Sequence, residues 1–173
     1  DYPEIFFEEK IHEIRRIHPD PNQIKAAAEK LKLSKQPIII AGGGVLYSEA
    51  EIELSDFAKK HNIPVTPTVM GLGCMDRDDP YYIGAIGALG VGSSNSLSKD
   101  TDLALAVGTK LGDFTTGSWA NFENEDFKLV SINTTRFDVT KHRATPVISD
   151  AKVGFKELSK ALGDWRAPNI WFD

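Results

Sequence analysis

The sequence predicts an α/β protein, a three-layer Rossmann-like parallel sheet with helices on both faces. Short β-branched runs without polar alternation read as strands buried on both sides, and amphipathic segments with helix-start signals lie between them. The two kinds of segment alternate along 173 residues, which makes βαβ units with right-handed crossovers.

In "DPNQIKAAAEKLKLS", Asp20 reads as an N-cap, Pro21 as the first helical residue, and Gln23 as the partner that completes a capping box. Ile24, Ala27, Ala28 and Leu31 share the apolar face of that helix. Pro37–Ala41 is the first strand, and it breaks into Gly42, Gly43 and Gly44. Ser48 with Glu51 reads as a second capping box, opening a helix to His61 that buries Ala50, Leu54, Phe57, Ala58 and His61. A second strand is expected over residues 63–68, and residues 69–95 form a glycine-rich connection of the length seen in functional or domain-contacting loops. Strands at 102–107, 128–132 and 146–149 follow. The last helix starts near Asp150, turns Ala151, Phe155, Leu158 and Leu162 inward, and stops at Gly163.

The composition, 41% apolar and 26% charged, is that of a soluble globular protein, and no apolar run nears the ~18 residues of a membrane span. A net charge of -5 with scattered basic residues argues against nucleic acid as a partner. The single Cys74 leaves no internal disulfide, and the N-terminal residues lack the apolar core of a secretory signal, so a cytoplasmic location is expected. Residues 1–19 and 164–173, with Pro19 and Pro168, read as linkers around a domain of 20–163, as in a segment of a longer protein.

Ligands of such sheets bind beyond the C-terminal strand ends, and three ends here carry glycine or polar turns: 42–44, 108–117 and 133–136. None has the G-x-G-x-x-G spacing. "GTKLGDFTTG" offers Lys110, Asp113, Thr115 and Thr116 either to a polar ligand or to local backbone donors in a turn. Asn133 stands where a dinucleotide-binding domain places an acid for ribose hydroxyls. "DRDD", residues 76–79, reads as a solvated turn, the four histidines lack ligand spacing, and no G-x-S-x-G elbow exists. No catalytic residue and no metal ligand is therefore assigned. Cys74 reads as a packed residue, and Trp119, Trp165 and Trp171 suit docking on a neighbouring domain.

Taken in order, "PIIIAGGGV", "VTPTVMGLGCMDRDDPYYIGAIGALG", "DLALAVGTKLGDFTTG", "INTTRFDVTK" and "VISDAK" resemble the central domain of thiamine-diphosphate-dependent enzymes of the acetolactate synthase type, a nucleotide-binding fold of the DHS-like class. The flanks "DYPEIFFEEKIHEI" and "DWRAPNIWFD", with "DFTTGSWANF", resemble a branch of ring-opening hydrolases that act on a cyclic diketone in inositol catabolism. The resemblance implies a middle domain that is inactive alone, with flanking pyrimidine- and diphosphate-binding domains as partners in a homodimer or homotetramer. Thiamine diphosphate and magnesium would belong to the full-length enzyme and not to this segment. In flavin-containing relatives the middle domain binds FAD, and the matching positions here are Gly42, Gly43 and Gly44; Thr68 and Val69; Gly108, Thr109 and Lys110; Asn133; and Asp150 and Ala151. Where those relatives have G-A-R-F-D-D-R this chain has Lys110 and Phe114 in place of both arginines, and where they have I-D-I-D it has Asn133 and Thr135 in place of both acids. Lysine lacks the planar fork and Phe any charge, so FAD is disfavoured and the fold is kept as an assembly module. The alternatives are a working FAD- or ADP-binding module and, on the same kind of sheet, an independent NAD-dependent enzyme such as a deacylase.

Overall fold

The structure, a computed structural model, describes residues 1–13 and 15–168. Its sheet contains β1 (Pro37–Ala41), β2 (Val65–Pro67), β3 (Leu103–Val107), β4 (Lys128–Asn133) and β5 (Thr145–Ile148). All pairings are parallel, in the order β2-β1-β3-β4-β5, so the order reverses between β1 and β3. β1 and β3 are buried at every position and pair with Ile39 opposite Leu105, as their unbroken apolar runs require.

One face of the sheet is covered by α1 (Pro21–Leu33), α3 (Glu51–His61) and α7 (Ala151–Leu162). Ile24, Ala27, Ala28, Leu31, Leu54, Phe57, Phe155 and Leu158 pack there on Ile39, Leu105, Val130 and Ile132. The opposite face, with Ile38, Ile40, Ala104 and Ala106, is covered more thinly by Ile86, Leu111, Trp119, Phe122 and Phe127. α4 (Gly92–Asp100) is tied into that layer by Asn121 Nδ2 donating to Asn95 Oδ1 at 3.2 Å and by the Lys99–Glu123 ion pair at 2.7 Å.

Asp20 caps α1 as expected, accepting from the Asn22 N–H at 2.7 Å and the Gln23 N–H at 3.4 Å. Gln23 does not complete a capping box, because its Oε1 accepts the Ile148 N–H of β5 at 2.9 Å. That bond and Pro146, which has no N–H, leave the β5 edge no outward donor at those two positions, a barrier to pairing with another strand.

Ser48 starts no helix. The glycine turn runs directly into α2 (Gly43–Tyr47), Ser48 ends it with its N–H on the carbonyls of Gly44 and Leu46, and α3 begins after Ala50 with no side-chain cap. β2 is shorter than residues 63–68, since only Val65, Thr66 and Pro67 pair with β1. Its outer edge is closed by the chain that follows: Ile83 N–H donates to Val65 O at 3.0 Å and Ile86 N–H to Pro67 O at 3.0 Å. The connection of 69–95 therefore seals an edge, and it ends inside α4, which the pattern did not show. α4 has buried serines where an apolar stripe would stand: Ser94 Oγ donates to Ala85 O and Ser98 Oγ to Ser94 O. Two one-turn helices complete the chain, α5 (Asp113–Thr116) and α6 (Arg136–Val139).

Both flanking segments touch the domain. Ile17 O accepts the Asp150 N–H at 2.9 Å, and the Arg16 guanidinium reaches Asp150. At the other end His61, buried on α3, donates from Nδ1 to Trp165 O at 2.7 Å and accepts at Nε2 from Ser159 Oγ at 2.9 Å. Ala167 N–H donates to His61 O, and Asn62 Nδ2 to Ala167 O. Trp171 lies outside the described residues.

Candidate functional site

A crevice of about 740 Å3 opens beyond the C-terminal ends of β1, β3 and β4, at the point where the strand order reverses. Of the positions singled out from sequence, Gly43, Gly44, Thr68, Gly108, Thr109, Lys110, Asn133, Asp150 and Ala151 line it. Gly42 lies beneath the lining and Val69 outside it, 46% exposed on the turn Val69–Gly71. The lining also takes in Thr134, within the turn of 133–136 singled out from sequence, and Arg15, Tyr47, Met70, Asp138 and Ser149, which sequence reasoning missed. Arg15 arrives from the segment before α1, a neighbour no local motif announces.

The glycines are explained by contact with the β3 loop. A Cβ on Gly42 would sit 2.3 Å from Gly108 O, and one on Gly44 2.6 Å from Gly108 Cα. Gly108 itself has φ +62, the left-handed region that glycine occupies without strain. Of the backbone donors here, Gly44 N–H crosses to Gly108 O at 3.0 Å, while Gly42 N–H extends the β1–β3 ladder to Val107 O at 2.8 Å and Val45 N–H closes the first turn of α2 on Gly42 O at 3.1 Å. A diphosphate is held in such turns by N–H groups left pointing at it. Of the two glycines of that turn in the lining, Gly44 has its N–H closed on a carbonyl.

Asn133 and the acids around the crevice are similarly committed. Asn133 accepts the Thr135 N–H at Oδ1 (2.9 Å) and donates from Nδ2 to Thr109 O at 3.2 Å, so its amide staples the β4 end to the β3 loop. A carboxylate could not make the second bond. Asp150, 3% exposed, caps α7 by accepting the Val153 N–H, and both its oxygens accept from Arg16 Nη1 at 3.0 and 3.1 Å. Asp138 pairs with Lys141 at 2.7 Å. Asp113 accepts from Ser118 Oγ at 2.8 Å and Thr116 Oγ from the Trp119 N–H, so α5 uses them within its own turn. Gly44, Asn133 and Asp150 thus spend on internal bonds groups that a dinucleotide would use.

Elsewhere, Asp79 in "DRDD" pairs with Lys59 at 2.9 Å; burial opposes its charge, but the Tyr81 N–H, Lys59 and Ser55 hold its carboxyl below the usual value. Among the described residues no three His, Cys, Asp or Glu side chains converge as metal ligands. Burial pushes the Cys74 thiol up to about 11, the wrong direction for a nucleophile. No helix among the described residues is long and apolar enough to cross a membrane.

Fold, strand order and crevice together define an α/β domain with a five-stranded parallel sheet and a cleft where the strand order reverses. The chain belongs to the family of thiamine pyrophosphate enzyme central domains, whose family model matches residues 24–158. It is 42% identical over 94% of its length to the 3D-(3,5/4)-trihydroxycyclohexane-1,2-dione hydrolase of Clostridium tetani, and 37% identical over 95% to that of Geobacillus thermodenitrificans. It spans about a quarter of those relatives, 25% and 26% respectively. A thiamin diphosphate-dependent enzyme from Mycobacterium smegmatis shares the fold with a TM-score of 0.70 at 17% identity, over 90% of this chain and 30% of that one. The match to the hydrolases covers more of the chain than the family model does, so the similarity runs into the flanking segments.

Proposed function

We propose that this chain works as the non-catalytic middle domain of a thiamine-diphosphate-dependent hydrolase that opens a hydroxylated cyclic 1,2-dione. Its task is to hold the pyrimidine- and diphosphate-binding domains in register, in a homodimer or homotetramer within the cytoplasm, with thiamine diphosphate and magnesium seated on those neighbours. The observation that carries the reading is the commitment of the crevice: Gly42 and Gly44 N–H groups, Asn133 and Asp150 are all bonded internally. The identity to relatives named for the dione supports the substrate class. A group that supplies carbanion chemistry is needed for such a cleavage, and the protein's share is position and electrostatics.

The test is to assay the 173-residue chain with thiamine diphosphate, magnesium and the trihydroxycyclohexanedione, alone and co-expressed with the two flanking domains of a relative. The chain alone should show no turnover, and co-expression should restore it. Turnover by the chain alone, or an ordered flavin absorbing near 450 nm in the purified protein, would overturn the reading.

A further inference from the structure

We propose that the crevice is a site for a small hydroxylated carboxylate, gripped by Arg15 and Lys110. Four charged residues line it: Arg15, Lys110, Asp138 and Asp150. Formally they cancel, but the two acids already have partners in Lys141 at 2.7 Å and Arg16 at 3.0 Å. Among the described residues neither Arg15 nor Lys110 has a hydrogen-bond or ion-pair partner. Arg16 also lies 3.5 Å from Glu49, 69% exposed and outside the lining, which offsets no more than one of the surplus charges. The crevice is thus left electropositive around two exposed cations.

The chemistry of the lining narrows the anion. An arginine presents a fork matched to a carboxylate, and a lysine adds a point charge on a flexible stem. Around them stand the hydroxyls of Thr68, Thr109, Thr115 and Thr134, suited to hydroxyl groups on the ligand. Thr109 Oγ1 accepts the Leu111 N–H at 3.2 Å, and Thr68 Oγ1 that of Gly71 at 3.2 Å, so both hydroxyl protons remain to be donated. A dinucleotide would need the Gly44 N–H that is spent on Gly108 O, whereas a ligand of sugar-acid size does not.

In one respect this rests on the function proposed above. Water added across the carbon–carbon bond of a hydroxylated cyclic 1,2-dione converts one carbonyl to a carboxylic acid and the other to an aldehyde, with no other reactant. The open-chain product then has the chemistry the crevice selects, and the middle domain would sense it at a distance from the thiamine.

The experiment is thermal melting and calorimetric titration of the 173-residue chain with D-glucuronate as probe. At about ten times Kd the Tm should rise by about 4 °C. D-glucose, with hydroxyls and no charge, should give no shift. Lys110→Ala and Arg15→Ala should each weaken binding roughly tenfold, as expected of a lost charge-assisted hydrogen bond, while their ligand-free Tm stays at the parent value. No shift with glucuronate, an equal shift with glucose, or unchanged binding in the double variant would each overturn the proposal, as would displacement of glucuronate by ADP or FAD at lower concentration. None of these readouts depends on hydrolase activity. Failure of the co-expression assay would remove the proposed substrate while leaving the binding result standing.

Discussion

Arg16 bonds both carboxylate oxygens of Asp150 with one guanidinium nitrogen, at 3.0 and 3.1 Å, across 134 residues of chain. The same nitrogen donates to Ser48 O, which joins the segment before α1 to the ends of α2 and α7. Asp150 is 3% exposed, and removing its counterion strands a buried charge. Arg16→Ala should cost about 2 kcal/mol and lower Tm by roughly 5 °C, followed by urea and thermal unfolding. Arg15→Ala, next in sequence but unpaired, should change stability by no more than about 0.5 kcal/mol.

Gly42 and Gly92 separate close approach from simple backbone freedom. Gly42→Ala places a methyl 2.3 Å from Gly108 O and should cost about 2–3 kcal/mol. At Gly92, in the first turn of α4, nothing lies within 4 Å, and alanine there should stabilise by about 0.5 kcal/mol. Equal effects of the two substitutions in denaturant melts would contradict the contact between the glycine turn and the β3 loop.

Asn133→Asp would restore an acid at the end of β4. It also removes the donor to Thr109 O and sets an anion against that carbonyl, at a cost of about 1–2 kcal/mol. The prediction is a less stable protein that still fails to bind FAD, read by unfolding and by flavin fluorescence. Tight FAD binding by this single variant would show that one acid was all the crevice lacked.

Acid should weaken the fold through its histidines. Burial lowers the His61 pKa below its ordinary 6.5, and Lys60 and Arg166 add to that against the bond to Trp165 O; burial and Lys141 lower His142 likewise. Because the unfolded chain takes up protons first, stability is fully present above pH 6.5 and falls as pH drops through that value toward the folded pKa of each ring. Asp79, also lowered, adds a loss in the same direction below its ordinary 3.8. Urea midpoints taken from pH 7.5 to 5 should decline, and the slope should flatten in His61→Gln.

Cys74 is fully buried, and that burial pushes its thiol up to about 11. A thiol-disulfide reagent at pH 8 should label it only after denaturant is added. Rapid labelling of the native protein would mean that the loop around it opens.

β1, β3, α1, α3 and α7 were legible because each buries one continuous face or run, and burial leaves its period in the residues. Ile24, Leu54, Phe57, Phe155 and Leu158 all reach the core that their spacing implied. α4 was hidden because serine-to-carbonyl bonds hold it where an apolar stripe would have been readable. The Ser48–Glu51 signal misled because α2 starts in the glycines themselves, a choice made by the contact with Gly108 far along the chain. The crevice was legible as a place and not as a chemistry. Its glycines and Asn133 could be read from local pattern, whereas what they bond to, and the arrival of Arg15 and Arg16, depend on partners about 25 to 134 residues away.

α7 is anchored at both ends, by Asp150 to the incoming chain at Arg16 and Ile17, and by Ser159, through His61, to the outgoing chain at Trp165. Twelve residues make this a spar of about 18 Å lying against α1 and α3. A pull on the two flanks would load it lengthwise, in shear along its neighbours, instead of peeling strands off the sheet one at a time. Tension from adjoining parts of a larger assembly would then travel through three helices on one side and leave the loops around the crevice slack.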